Sequence, residues 1–119
     1  MLVWLTTVTP SGAPLPRPVG FLWSGGDEIA VYSQPGARIR NIRSNPKITL
    51  NFRGDPNGTD IVVLSGIAEV DERGLSAAEN AAWVDKYDAE WARAGMTAES
   101  FAQRFSVPVQ IRITRVDGF

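Results

Sequence analysis

Two segments of this chain place an apolar side chain at every second position. Ile48, Leu50 and Phe52 alternate with Lys47, Thr49 and Asn51, and Val109, Ile111 and Ile113 alternate with Gln110, Arg112 and Thr114. A period of two suits a strand with one buried and one wet face, and no helix can sort those residues onto one side. The apolar face of such a sheet must be covered, so the remaining strands have to be found.

Leu2 to Val8 is rich in β-branched and aromatic residues and breaks at Pro10-Ser11-Gly12, a turn signal. Pro14, Pro16 and Pro18 lead into a strand over Val19 to Trp23. Prolines cannot donate ladder hydrogen bonds, so that strand begins at an edge or an opening. Ser24-Gly25-Gly26-Asp27 reads as a hairpin turn and Glu28 to Ser33 as the returning strand. Pro35 suits the first turn of a short helix, Ile39 and Ile42 give it an inward face, and Asn45-Pro46 stops it. After Ile48 to Phe52, a loop tip spans Arg53 to Thr59. Ile61 to Val70 reads as a long strand buried on both faces or at a subunit contact. Leu75 to Ala94 reads as helix, Thr97 caps a short segment to Arg104, and Val107 to Val116 closes the chain. About six strands with inserted helices predict a mainly β, small antiparallel barrel. At 119 residues this is a single domain, spanning 1–119, too small for a self-contained large-cofactor pocket. Such a domain completes its site with a second subunit.

The chain has no histidine and no cysteine. Disulfides, thiolate nucleophiles, structural zinc and Ser-His-Asp or Cys-His catalysis are excluded, and with them the usual neutral-pH base. Reactivity must come from a carried cofactor, from carboxylates, or from Tyr, Lys and Arg. The formal net charge of −1 removes the usual driving force for nucleic-acid binding. No apolar run reaches the length of a membrane span, and the start lacks a signal peptide's basic region. The expectation is a cytoplasmic protein.

Val31 to Phe52 carries the best candidate site. Arginines stand where a helix begins, so a bound anion would meet free backbone N–H groups and guanidinium groups together. On an ideal helix Arg38 projects between Asn41 and Ile42, while Arg40 lies nearly opposite. Arg38 and Asn41 can thus share a ligand, with Ser33 supplying a hydroxyl from the preceding strand. Arg40 reaches it only from the helix start, or else faces solvent or a partner. If Val19 to Trp23 neighbours Ile29 to Ser33, then Arg17 approaches from the other side, and backbone at Pro16, Pro18 and Val19 faces the bound ring. A solvated basic helix and an exposed loop arginine are the plain alternatives. Trp83, Tyr87 and Trp91, spaced four apart, read as core or dimer packing, the alternative being a substrate lid or aromatic wall. The acidic residues of that helix read as a solvated face, so no catalytic residue is assigned.

The segments W-L-T-T-V (Trp4 to Val8), S-G-A-P (Ser11 to Pro14), P-V-G-F-L-W (Pro18 to Trp23), Y-S-Q-P (Tyr32 to Pro35), R-I-R-N-I (Arg38 to Ile42), N-P-K-I-T-L (Asn45 to Leu50) and the closing I-R-I-T-R-V-D-G-F (Ile111 to Phe119) cover nearly the whole chain. Together they resemble the split-barrel flavin/deazaflavin oxidoreductase superfamily that includes pyridoxamine 5′-phosphate oxidase. They are most similar to its actinobacterial F420-dependent reductase subgroup. The resemblance implies a six-stranded antiparallel split β-barrel, FMN-binding-like, that forms a homodimer with two cofactor sites at the subunit interface. It implies coenzyme F420, or FMN as the alternative, and no metal. Its phosphate would be approached by Ser33, Arg38, Arg40 and Asn41, with Arg17 matching a phosphate-binding arginine of the oxidase. The ring would be lined by the segment around Pro18 and Val19. The implied activity is hydride transfer between F420 and a small electron-poor organic substrate. The alternatives are an FMN-binding oxidoreductase and a non-catalytic flavin- or deazaflavin-binding protein. The usual lysine is replaced by Arg38, which keeps the charge and adds bidentate reach. The chain begins almost at the first strand, without the N-terminal helix that many relatives carry, so the resemblance leaves part of the substrate pocket wall unassigned.

Overall fold

The computed structural model describes residues 2–23, 25–54, 56–57 and 60–118. Ser24 of the expected hairpin turn, Asp55, Gly58 and Thr59 of the expected loop tip, and Met1 and Phe119 lie outside the described residues. The strands are β1 (Leu2–Val8), β2 (Pro14–Gly20), β3 (Leu22–Trp23), β4 (Glu28–Ser33), β5 (Lys47–Asn51), β6 (Val62–Val70) and β7 (Val107–Gly118). Helices α1 (Ala37–Ser44), α2 (Ala81–Arg93) and α3 (Ala98–Arg104) are inserted among them. All strand pairs are antiparallel, in the order β2-β1-β5-β6-β7-β4-β3. The protein is a mainly β, curled split barrel.

The alternation does what its period requires. Val3, Leu5, Ile29, Val31, Ile48, Leu50, Leu64, Val109 and Ile111 all point inward and are essentially inaccessible. Each such side chain contributes about 1.5–3 kcal/mol by leaving water. Ile39 and Ile42 of α1 join the same core. β6 buries Leu64, Gly66 and Ala68 on that face but leaves Val63, Ser65 and Ile67 half-buried on the other, so it is one-faced rather than buried on both. Gly66 sits at an irregularity in the β6–β7 register, where a Cβ would lie 2.7 Å from the Arg112 carbonyl oxygen.

The proline segment forms a strand in its own right. Pro14, Pro16 and Pro18 pair with Val8, Thr6 and Trp4, while Leu15, Arg17 and Val19 pair with Thr7, Leu5 and Val3. Because the prolines occupy alternate positions, all three missing N–H groups fall on the side away from β1, and the residues between them carry the ladder. Proline at every second position is compatible only with a sheet edge. The ladder then breaks at Phe21, and Leu22 and Trp23 pair instead with Ala30 and Ile29 at the far end of the sheet. The expected second strand is therefore two strands at opposite edges, which raises the count from six to seven.

The break at Phe21 is covered by α2. The Tyr87 hydroxyl accepts from Phe21 N–H at 2.8 Å and donates to the Phe21 carbonyl at 3.1 Å. Lys86 Nζ also donates to that carbonyl and lies 3.5 Å from the centre of the Phe21 ring. A helix side chain thus takes the hydrogen bonds that the sheet leaves unmade. Gly20 permits the approach, since a Cβ there would stand 3.1 Å from Tyr87 Oη.

Helix starts are later than proline and apolar spacing suggest. Gly36 at φ 140° is the N-cap of α1, so Pro35 precedes the helix rather than opening it. Residues 75–80 form turns held by Ser76 and Glu79, and Asn80 caps α2 by accepting from Trp83 N–H. Thr97 caps α3 as expected, in a reciprocal box with Ser100. Trp83, Tyr87 and Trp91 are buried with Tyr32 and Ala77 in a second core, so the aromatic stripe is packing first. No helix among the described residues is long and apolar enough to cross a membrane.

Candidate functional site

The split leaves a cavity of about 550 Å³ between the β2 edge and the start of α1, floored by α2 and α3. This volume is within the range of small-molecule sites. Arg17, Pro18 and Val19 line it from β2; Gln34, Gly36 and Arg38 line it across the gap. Trp83 and Tyr87 from α2, and Phe101 and Phe105 from α3 and its C-cap, supply the apolar part.

The start of α1 is suited to an anion. Its N-cap is glycine, no side chain caps it and its first turn holds no acidic residue. Its leading N–H groups therefore have no intrahelical acceptor and no side-chain substitute. Arg38 leans back over this turn, donating from Nη1 to Ser33 Oγ at 3.0 Å, and Ser33 Oγ in turn donates to the Gln34 carbonyl at 2.7 Å. Burial, and then the like charge of Arg17, lower the Arg38 pKa from its ordinary value. Among the described residues two buried side-chain donors lack a hydrogen-bond partner, Arg38 Nε and Trp83 Nε1, and both belong to residues lining this cavity. A half-buried guanidinium beside a second one is costly unless an anion joins them.

The candidate residues separate. Arg17, Pro18, Val19 and Arg38 line the cavity, and Ser33 is buried behind Arg38 as its acceptor. Arg40 is exposed and does not line it. Asn41 turns into the core, 4 % exposed, where Nδ2 donates to Thr7 Oγ1 at 3.1 Å. Helical geometry brought Asn41 and Arg38 together, but buried Thr7 supplies a nearer partner for the amide. Phe101 and Phe105 line the cavity without being sequence candidates, as do Leu2, Leu15 and Glu90; the i, i+4 spacing of the two phenylalanines is the signal the sequence offers for them.

The residues present fit a molecule carrying both a phosphate and a conjugated ring. Arg38, Arg17 and the α1 start would hold the phosphate, and the β2 backbone and aromatic side chains would border the ring. No group of three or more potential metal ligands occurs among the described residues. Tyr87 lines the cavity; burial raises its pKa from the ordinary value, and its bonds to Phe21 hold its hydroxyl in place.

Solved structures share this architecture. An F420 reductase is 21% identical, with 98% of this chain and 89% of that one covered at a TM-score of 0.69. HutZ, the heme storage protein of Vibrio cholerae, is 16% identical with 98% and 84% covered at 0.66. A FAD-binding protein of Mesorhizobium loti is 18% identical with 97% and 80% covered at 0.61. At these identities the likeness shows the fold, and the ligands named for those proteins, F420, heme and FAD, differ. Among curated proteins nothing matches the chain. The sequence pattern of pyridoxamine 5′-phosphate oxidase matches residues 1–116, nearly every strand and helix described above. With the split barrel and this pattern in agreement over almost its full length, the chain belongs to the pyridoxamine 5′-phosphate oxidase family.

Proposed function

We propose that this protein is an F420-dependent reductase, transferring a hydride between the deazaflavin and a small electron-poor organic substrate. FMN is the alternative occupant, and the same site without turnover would make a flavin- or deazaflavin-binding protein. The observation that carries this reading is the union of Arg38, Arg17 and an uncapped helix start in one cavity with an aromatic floor. When bound, the deazaflavin supplies the two-electron chemistry that a chain without histidine or cysteine lacks. The protein's part is to neutralise the phosphate through the guanidinium pair, to hold the ring along Pro18 and Val19, and to exclude water with α2 and α3. Ser33 acts through Arg38, fixing its side chain. Arg40 and Asn41 do not line the cavity within this chain; Arg40 remains a candidate for a site shared between subunits, and Asn41 fastens the middle of α1 to β1 through Thr7.

A homodimer is part of the proposal. Leu2 and Trp4 on the outer face of β1 are 55% and 49% exposed, and Val63 and Ile67 of β6 lie half-buried on the same face across Asn51 and Lys47 of β5. Large apolar side chains left exposed on a small domain support an assembly surface there. Heme, which the structural neighbour HutZ stores, is disfavoured because the chain offers neither histidine nor cysteine as an axial ligand and both tyrosine hydroxyls are engaged with backbone.

The test is a fluorescence titration of the apoprotein with F420 and with FMN. Tight F420 binding with negligible FMN binding is expected. The reverse result replaces the leading cofactor, and failure of both to bind removes the reading.

A further inference from the structure

β2 borders the cavity, and the sheet holds its middle and its end unequally. Arg17 pairs with Leu5 in the middle of β1, whereas Val19 and Gly20 pair with Val3 and Leu2 at the very start of that strand. Among the described residues no hydrogen-bonded strand lies on the other side of β2. The ladder stops at Gly20, and Phe21 pairs with neither edge of the sheet. An edge strand opens first at its terminal pairs, where few hydrogen bonds hold it.

α2 supplies there what the sheet does not. The Tyr87 hydroxyl takes both polar backbone groups of Phe21, and the Lys86 ammonium takes the carbonyl a second time. The contact is close as well as polar: a Cβ at Gly20 would stand 3.1 Å from Tyr87 Oη, 3.2 Å from Tyr87 Cζ and 3.4 Å from Trp83 Cη2. Tyr87 and Trp83 line the cavity from one side, Val19 and Gly20 from the other. Two walls of one cavity are thus fastened together at its edge, and the bare backbone of Gly20 sets how closely they meet. At about 3.3 Å per residue, Gly20 lies roughly 10 Å along the strand from Arg17, so this brace acts far from the guanidinium end.

We propose that Tyr87, seated against Gly20, is a positioning residue that fixes the Val19–Gly20 backbone against which the ring of the bound cofactor lies. The proposal rests on the cofactor reading, which puts the ring along Pro18 and Val19 and the phosphate at Arg17 and Arg38.

The experiment compares wild type and Tyr87→Phe with Asn41→Ala, which loses one buried hydrogen bond elsewhere. Three quantities are measured: the cofactor dissociation constant by fluorescence, the inhibition constant of inorganic phosphate against that binding, and residue-resolved amide hydrogen exchange of the free protein. Tyr87→Phe should weaken cofactor binding about tenfold, because the wall must then be ordered on binding, while the constant for ringless phosphate stays within about twofold. Exchange at the Val19 amide should speed about tenfold relative to Arg17. Asn41→Ala should leave all three at wild-type values. A purely stabilising role for Tyr87 would lower the unfolding midpoint and move none of them, so unchanged cofactor affinity in Tyr87→Phe overturns the proposal. Equal losses for cofactor and phosphate overturn it too, as does Val19 exchange that keeps its wild-type ratio to Arg17. If phosphate does not compete in the wild type, the guanidinium end loses its assignment, and the cofactor and exchange measurements decide the brace. If neither F420 nor FMN binds the wild type, the cofactor reading fails; faster Val19 exchange in Tyr87→Phe then still establishes the brace on the cavity wall, and its absence overturns that as well.

Discussion

Replacing Tyr87 by Phe removes one oxygen atom from the place where the chain passes from one edge of the sheet, β2, to the other, β3. That oxygen accepts from Phe21 N–H at 2.8 Å and donates to the Phe21 carbonyl at 3.1 Å. Tyr87 is 4% exposed and Phe21 6%, so water does not take over either role. The two backbone groups differ in what remains to them. The carbonyl keeps the Lys86 ammonium, whereas the N–H is left buried without its acceptor. An orphaned buried donor costs about 1–3 kcal/mol, and the shared carbonyl bond adds little. The expected loss is therefore about 2 kcal/mol. With a urea m-value on the order of 1–3 kcal/mol per molar for small proteins, the midpoint should fall by roughly 1 M at unchanged m. Urea unfolding followed by circular dichroism measures it. A second arm uses pH. Burial raises the Tyr87 pKa above its ordinary 10.0, so the phenol's contribution is fully present below pH 10.0 and is lost as pH rises through the folded-state value. Lys86, lowered by burial, acts with the opposite sign. The comparison of wild type with Tyr87→Phe isolates the tyrosine: only the wild type should show this alkaline loss. A midpoint within the error of wild type, or the same alkaline loss in both proteins, would refute the assignment of Tyr87 as the missing ladder partner.

Arg38→Met should weaken cofactor affinity by about 1.5–3 kcal/mol in the fluorescence titration. It should leave the free protein no less stable, because the guanidinium is strained there by burial and by Arg17. Asn41→Ala should show the converse, costing about 1–3 kcal/mol of stability through its lost bond to Thr7 while cofactor affinity stays unchanged. Gly66→Ala should lower the melting temperature more than Gly20→Ala. The first meets a backbone carbonyl at 2.7 Å, the second a side-chain hydroxyl at 3.1 Å, a smaller overlap to relieve.

What the sequence revealed and what it hid follow from how local each cause is. β1 and β4 have the bounds that composition and turn signals assign them, because an alternating run between breakers is a local pattern. β2 was foreseen as starting at Val19 because proline reads as a breaker. Its true start at Pro14 depends on β1 lying on one side only, which is a tertiary fact. Arg17 and Arg38 could be paired from sequence only conditionally, since they meet across the split and not along the chain. Asn41 shows the opposite limit: its helix face was readable, but the choice between a ligand and Thr7 was made by a strand 34 residues earlier. The i, i+4 spacing of Phe101 and Phe105 marks a shared face, but that this face borders the cavity depends on how α3 packs against α2.

The three alternating prolines have a consequence for assembly. A sheet edge ordinarily offers an incoming strand both donors and acceptors, and this makes edges prone to uncontrolled growth. The open side of β2 offers carbonyl oxygens without N–H groups at Pro14, Pro16 and Pro18, and Arg17 Nη1 occupies the oxygen of Pro16 at 2.8 Å. The opposite edge, β3, is two residues long. Neither edge can template a continuous ladder with another copy. The split in the barrel can therefore stay open without inviting strand-by-strand polymerisation, and the proposed dimer would have to form through sheet or helix faces rather than strand edges.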